Sequence, residues 1–460
     1  MPDGASISRL RLSSVIEVTR GTTPANPPYA ILPIRRGSSA SVQKAFERSS
    51  LIRSDRQGGQ QIGGTASNQA RLSMPLLRED GFMQWMRSAL SNVEAVVDLA
   101  GSFSFTSGSK TMSRAAGSFL TDPIADRLNV GDVCYITGTT NNQSTLTGAH
   151  DASQTTFTVA STAAFDASGA FRVDTEIITY TGKTGTTFTG CTRGAAETTA
   201  ASHSNGAAVI PIRRITAITA TDVTFGNNTV VTEAALAVTV VTLTKLLLPG
   251  TSRKFYSLEQ FGGDINVFEI FKGVEANTAA FTVPTSGEVG VEFGLIGTRY
   301  ALGQVSGSTY AATLGNTPAA ASAAGSSLLI DGATINSCVE SLNFNINNNR
   351  AAKFGVGEQF ACFVEEGDFD VDLSLVIYWV DATLQTKFQN ETRFALALLN
   401  VDQNAGHKFR HTFPRLVPTQ APKGESGQTI TEQLSAFAEY DPVTAAKYFY
   451  HHIQNIPAVL

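Results

Sequence analysis

Charge is scarce in this chain: of 460 residues, Asp, Glu, Lys and Arg make up 16%, where a soluble monomer usually carries about 25%. Thr, Ser, Ala and Gly fill the space. A surface this thinly charged fits a protein whose faces are mostly covered by copies of itself. Cysteine is scarce too. Cys134, Cys191, Cys338 and Cys362 form no CxxC pair, which argues against a zinc site or a disulfide framework and for reduced thiols made in a cytoplasm. The formal net charge is −5, so the basic excess with which proteins wrap nucleic acid is missing. The amino-terminal MPDGASISRLRLSS lacks the long apolar core of a signal peptide. No apolar run is long enough to span a membrane, and the most apolar stretch, Ala234–Leu248, is broken by threonines and Lys245. It reads as a strand.

Catalytic constellations are missing as well. Gly182-Lys183-Thr184 resembles the end of a phosphate loop, but Ile177 stands where a glycine is required. No GxSxG nucleophile elbow occurs. His407 and His411 are four apart in HKFRHTF, which reads as a strand, so their side chains would lie roughly 13 Å apart. Solvent-exposed histidines are the expectation there, and His451-His452 adds nothing. Sequons at Asn142, Asn227 and Asn390 arise by chance in a Thr-rich chain. No enzyme activity, cofactor or metal is expected.

What the chain has is strand. Short runs of Val, Ile, Thr and Phe are punctuated by Gly, Asn and Pro, as in Phe171–Tyr180 and Ser341–Ile346. Two segments read as helix: Glu79–Leu90, with Asp80 as cap and Phe82 and Met86 on one face, and Asp381–Asn390, with Asp381 as cap and Leu384 and Phe388 on one face. They belong to a weak internal repeat. Leu72-Ser73-Met74 precedes the first helix and Leu373-Ser374-Leu375 the second, 301 positions on (373 − 72). A duplicated β-unit, each with a flanking helix, is the sharper reading of that offset.

Between the copies the sequence changes character. Leu128–Gly138 and Pro211–Gly226 look like two parts of one small β-module, and Ser144–Ile210 looks inserted into it at an exposed loop. The expected organisation is therefore 1–117 for the first part of a core unit, 118–143 with 211–228 for the small module, and 144–210 for the nested one. Residues 229–318 would complete the first unit and 319–460 form the second, with Ala319–Gly325 as linker.

One pattern carries chemistry. In Asp368-Phe369-Asp370-Val371-Asp372-Leu373 carboxylates alternate with apolar residues, which on a strand puts three acids on one face and Phe369, Val371 and Leu373 in a core. Leu342–Asn347 repeats this with Asn343 and Asn345 outward. By itself the pattern also fits an ordinary solvated sheet.

The segments Glu17-Val18-Thr19-Arg20-Gly21-Thr22-Thr23-Pro24 and Ile52-Arg53-Ser54-Asp55-Arg56-Gln57, followed by the Gly-rich run and strand–helix unit of Gly58–Leu90, resemble the tail tube proteins of long-tailed, double-stranded DNA bacteriophages of the siphophage type. LNVGDVCYITG with ITAITATDVTF is similar to the small β-module that interrupts such proteins. DTEIITYTG and GCTRG resemble modules of many phage structural proteins. Phe255–Phe261, Phe271–Val274 and Val289–Gly297 fall where the family has a strand, an FxG-like element and another strand. The chain departs from the family at Glu259-Gln260-Phe261-Gly262-Gly263, where an acidic residue and Phe usually follow an ERGF-like element.

The resemblance implies a mainly β fold: two tandem β-barrels or sandwiches, each flanked by an α-helix, with nested small β-modules. It implies a structural virion protein, made in the host cytoplasm, that assembles with itself into rings, trimeric with pseudo-sixfold symmetry, stacked as a hollow tube. Its partners would be the tape measure, tail terminator and baseplate or tail tip proteins, and double-stranded DNA would pass through without specific binding or membrane contact. In that context Asp368, Asp370, Asp372, Asn343 and Asn345 become candidates for the lumen. The loop Arg53–Asn68, with Arg53, Asp55, Arg56, Gln57, Gln60 and Gln61, becomes the bridge to the adjacent ring. The competing reading is a secreted adhesin or carbohydrate-binding β-protein, which would want exposed aromatic clusters and a secretion signal. A glycan-cleaving enzyme would need two carboxylates converging in a cleft; a row of acids is poor geometry for that.

Overall fold

The computed structural model describes residues 9–50, 61–77, 80–120, 128–196, 198–226, 230–311, 322–335, 338–401, 407–453 and 456. Strands dominate, and two helices stand among the described residues, α1 (Asp80–Leu90) and α2 (Thr383–Gln389). Both follow directly on a long strand, Gln61–Pro75 and Asp370–Tyr378 respectively. The strand that precedes α1 begins at Gln61, so Gln61–Asn68 is paired strand, opposite Ser39–Arg48, and not loop.

The two helices have diverged. α1 is buried on almost every side, with Phe82 edge-on to Phe293 (centroids 5.7 Å) and Trp85 against Tyr256 (5.0 Å). α2 buries only Leu384 fully. Asp80 is the first residue of α1. Ala382 is the N-cap of α2, and Asp381 just before it accepts the Thr383 backbone N–H (2.8 Å), which holds its carboxyl below the usual range.

Eight strands form one continuous antiparallel sheet. From the first unit come Ser39–Arg48, Gln61–Pro75, Gly290–Gly297 and the second half of Val267–Val283. Val339–Asn347, Asp370–Tyr378, Thr429–Ala438 and the end of Lys408–Gln420 continue it in the second unit. The junction is a single ladder, Thr278↔Asn347 through Val283↔Leu342. Strand Val267–Val283 serves two layers because it bends at Gly273 (φ 60°), where a Cβ would collide with Thr298 Oγ1. Its first half pairs with Phe255–Gly262, which continues to Leu10–Glu17 and Pro28–Ile31. In the second unit the first half of Lys408–Gln420 pairs with Phe394–Val401, which continues to Ser322–Ile330. The stretch read as linker is thus strand from Ser322 onward. One apolar core runs through both units, from Leu12 to Tyr450.

Between the units' strands lies a closed six-stranded barrel. Its staves in order around the wall are Ala95–Phe105, Thr111–Arg114, Asp222–Phe225, Ala208–Ile218, Val133–Thr137 and Glu233–Leu247, which returns to the first. Phe103, Phe105, Met112, Ile136, Ile215 and Phe225 fill it. Closure leaves this element no free sheet edge.

A second small β-unit, Ser144–Ala207, packs its own core of Phe157, Phe165, Phe171, Tyr180 and Phe188. It enters after Thr137 through a loop but leaves along a continuous strand. In Ala208–Ile218, Val209 and Pro211 pair with Val173 and Phe171 of this unit, and Ile212 onward pairs with the barrel. Val133 and Ile212 of the barrel pack with Ala170, Ile177 and Ile456 across the boundary.

The carboxyl-terminal strand Phe449–Ile453 binds barrel to second unit, pairing with Lys245–Leu247 on one side and Lys408–Thr412 on the other. His407, His411, His451 and His452, four of the chain's six histidines, lie buried at this ladder, against the expectation of exposure. Phe449–Ile453 is buried at every residue, and His411 falls among the buried alternate positions of Lys408–Gln420. His411 sits between Phe281 and Phe344, its Nδ1 2.8 Å from the Tyr448 hydroxyl. Burial pushes the rings of His411 and His451 down to about 3.

His411 and His451 are neutral in the fold and take up a proton near pH 6.5 when it opens. Stability is therefore fully present above pH 6.5 and lost as pH falls towards 3, at about 1.4 kcal/mol per pH unit for each ring. Urea midpoints between pH 6.5 and 5 should fall accordingly, and His411→Phe should shallow that slope even if it lowers the midpoint overall.

Candidate functional site

One side of the eight-stranded sheet packs on the core, and alternation leaves the other side open. Leu72, Phe281, Phe344 and Leu373 point inward. Their neighbours Arg71, Thr282, Asn343, Asn345, Asp372 and Ser374 point outward, half-buried or exposed. Thr282, Asn343, Asn345, Asp372, Ser374 and Ser435 border a shallow trough of about 590 Å³ on this face. A second hollow, bordered by Arg35, Ser73, Glu288 and Glu292, shares Ala280 and Thr282 with it. The open face is therefore continuous across both units, and small polar side chains dominate it.

The structure brings Asn343, Asn345, Asp370 and Asp372 to this face, with Asn345 directly opposite Asp372. Asp370 lies at its rim, half-buried, 3.2 Å from Lys447 Nζ and 2.9 Å from the Asn349 amide nitrogen. Asp368 is exposed but precedes the strand, so the row of three acids on one strand is a row of two. The ladder ends at Asn347↔Asp370 because Asn349 (φ 50°) turns the partner chain away and donates to the Asp368 carbonyl. Arg53, Asp55, Arg56, Gln57 and Gln60 lie outside the described residues. Gln61 is exposed at the start of its strand.

Charges on the face are mostly answered. Arg71 pairs with Glu292, and Arg35 with Glu288 at 2.5 Å. Asp372 makes no ion pair among the described residues.

What holds this face together lies beneath it. Glu275 is fully buried where the inner half of Val267–Val283 begins, and three guanidiniums converge on it. Arg253 binds both carboxylate oxygens (2.5 and 3.0 Å), Arg20 lies at 2.6 Å and Arg350 at 3.3 Å. Arg350 belongs to the second unit and also donates to Ser91 Oγ (2.6 Å) just past α1. Arg253 reaches the Val364 carbonyl, again in the second unit (3.1 Å). Burial lowers the pKa of Arg20 and of Arg350, and Glu275 opposes it. Beside this joint, buried Glu17 accepts the N–H groups of Gly21 (2.6 Å) and Gly273 (3.0 Å) and the Ser257 hydroxyl (2.6 Å). Thr23 meets the same hydroxyl at 2.7 Å. The segment Glu17–Pro24 thus fastens the bend at Gly273. Sequence reasoning singled out that segment but not its partners Ser257, Gly273 and Glu275, which lie 234 to 256 positions away.

In the nested unit the two quoted motifs meet in the same way. Glu176 is buried and accepts Arg193 Nε and Nη2 (2.8 and 2.7 Å), the N–H groups of Gly194 and Ala201, and His203 (2.9 Å). Burial alone would raise its carboxyl; these donors outweigh it and bring it to about 2. The other nitrogen of His203 faces Asp174 at 2.7 Å. With both ring nitrogens occupied and the ring buried, this is a structural tie rather than a catalytic dyad. Lys183, from the failed phosphate-loop motif, donates to the carbonyls of Thr162 (2.7 Å) and Phe165.

A family model described as phage tail tube protein matches residues 7–438 of the chain. No curated protein matches it.

Removing one partner from a buried ion cluster strands the others. Glu275→Gln leaves three guanidiniums without their carboxylate and should cost about 3–5 kcal/mol, read as a lowered urea midpoint. Exposed Glu292→Gln should cost under about 1 kcal/mol in the same assay.

Proposed function

The chain belongs to the phage tail tube protein family, and from that membership we propose that three copies close head to tail into a pseudo-sixfold ring, and that rings stack into a conduit for double-stranded DNA. Members of this family are structural proteins of the phage tail, not enzymes, and self-assembly into a tube follows from membership. The ring, its symmetry and the passage of DNA are our reading.

A single feature of the sheet carries it. Ser39 faces Arg71, and Asn345 faces Asp372, on strands 301 positions apart (372 − 71). Ser39–Ser41 therefore stands in the first unit where Asn345–Asn347 stands in the second. Asn345–Asn347 is covered by the strand Val267–Val283, whereas the outer edge of Ser39–Lys44 has no strand partner among the described residues. The second unit's counterpart of Val267–Val283 is Lys408–Gln420. Its end pairs with Thr429–Ala438 on one side, and Val417–Gln420 has no strand partner among the described residues on the other. Each chain thus carries one satisfied junction and the two unsatisfied halves of another. Joining them between copies makes a heterologous contact that closes if the rotation is right.

In the closed ring the open face becomes the inner wall, with Asn343, Asn345, Asp370 and Asp372 in the lumen and Asp368 at its margin. The hairpin of Ser39–Arg48 and Gln61–Pro75 leaves the core with Phe46 and Ile62 exposed (61% and 59%), and an isolated two-stranded ribbon is marginal in water. We assign it to the contact with the next ring, through Arg53, Asp55, Arg56, Gln57, Gln60 and Gln61. The tape measure protein inside, and terminator and baseplate proteins at the ends, complete the partners, in a long-tailed virion whose parts are made in the host cytoplasm. The nested unit is then an outer decoration, carried on the barrel that Phe449–Ile453 ties to the second unit.

The Ala40 N–H donates to Gln260 Oε1 (3.0 Å) and so points away from Gln61–Pro75; two residues on, the Val42 N–H faces the same open edge. Val42→Pro removes that donor without touching the internal ladder. The variant should fold with unchanged circular dichroism yet sediment as a monomer under conditions where the parent forms rings or tubes. Rings of unchanged yield and stability from this variant would refute the edge assignment.

A further inference from the structure

The open face carries charge of both signs, and its distribution has an order. Arg71 and Asp372 are 301 positions apart, the offset of Leu72 and Leu373, on the two strands that run into helices. In a ring of the kind proposed they hold equivalent places, one in each unit. Identical subunits would put the same residue at all six. Here the first unit offers a cation and the second an anion.

The cation does not stand alone. Arg71 is masked by Glu292 on the neighbouring strand, and Arg35 by Glu288. Asp370 is masked by Lys447. Asp372 faces Asn345 on one side and Phe437 on the other and has no ion pair among the described residues. Around it are amides and hydroxyls: Asn343, Asn345, Thr282, Ser374 and Ser435.

We propose that this wall is a charge-compensated surface for a sliding polyanion, on which Glu292 masks Arg71 from phosphate and Asp372, without an ion pair among the described residues, sets the net sign. The inference rests on the lumen reading above. Its physical ground is the duplex, which carries one charge per ~1.7 Å of axis and is gripped wherever a cation can displace its counterions. A bare ring of arginines would add a grip at every ring of the stack. A fully acidic wall would instead repel the duplex at every ring. Paired charges with a neutral polar lining avoid both.

The test uses tubes assembled from the full chain and a short fluorescent duplex that co-sediments with them when held. Parent tubes should hold little at 50 mM salt. Tubes of Glu292→Gln expose three Arg71 per ring and should hold at least tenfold more. With about three phosphate contacts per ring, a fourfold rise in salt should lower that retention about 40-fold. Asp372→Asn should change retention less than threefold, and adding Arg71→Gln to Glu292→Gln should restore parent behaviour. Retention by Glu292→Gln equal to the parent's, or retention that survives Arg71→Gln, would overturn the proposal. If Glu292→Gln does not form tubes, Glu288→Gln unmasks Arg35 in the same way and is read by the same measure. Asn345→Cys separates this from failure of the lumen reading. In intact tubes it should react with a small maleimide but not with one carried on a particle wider than the bore; equal reaction with both would put the face outside and sink the conduit reading first.

Discussion

A single buried carboxylate with three arginines is the constraint on which this architecture rests. Glu275 sits where strand Val267–Val283 leaves one layer and enters the sheet that both units share. Ions this deep are tolerated only when the attraction and every added hydrogen bond offset the loss of water. Here that condition needs Arg20 from the first loop, Arg253 from the strand entry, and Arg350 from the second unit. The cluster therefore favours one arrangement of the halves. Since the register of Val267–Val283 against Val339–Asn347 follows from that arrangement, so does the continuity of the open face. Glu17, satisfied by Gly21, Gly273 and Ser257, does for the bend what Glu275 does for the junction.

Much of this was legible in the chain. The strand–helix repeat could be read because period-two and period-3.6 patterns recur at a constant offset, and the open face because Asn343, Asn345, Asp370 and Asp372 alternate with apolar residues. Where the strand ends could not be read that way: Asp368 continues the alternation, but its partner strand has already turned away at Asn349. The buried histidines do leave a signal in the sequence. In HKFRHTF, His407, Phe409, His411 and Phe413 share one side of the strand, and a histidine in phase with two phenylalanines belongs to their row. The arginines around Glu275 left no comparable trace, since positions 20, 253, 275 and 350 become neighbours only through topology.

Strand identity was easier to read than strand partnership. Ala95–Phe105 and Glu233–Leu247 are plain strands in sequence, yet nothing local says that they are staves of the six-stranded barrel. Partnership arises from closure, a property of six segments together. The difference between the two helices has the same origin. α1 is enclosed by the layers around it, with Trp85 against Tyr256; α2, of similar local pattern, lies at the surface with one residue fully buried.

The strand Ala208–Ile218 belongs to two bodies at once, and this has a mechanical meaning. A unit hung on a flexible loop would turn under load and transmit little. Here a pull on the nested unit along that strand is borne in shear by its ladders to Val133–Thr137 and Asp222–Phe225 together, not by hydrogen bonds opened one after another as in peeling. The nested unit is thereby coupled stiffly to the barrel. Through Phe449–Ile453, which pairs with both barrel and second unit, the load path continues to the shared sheet.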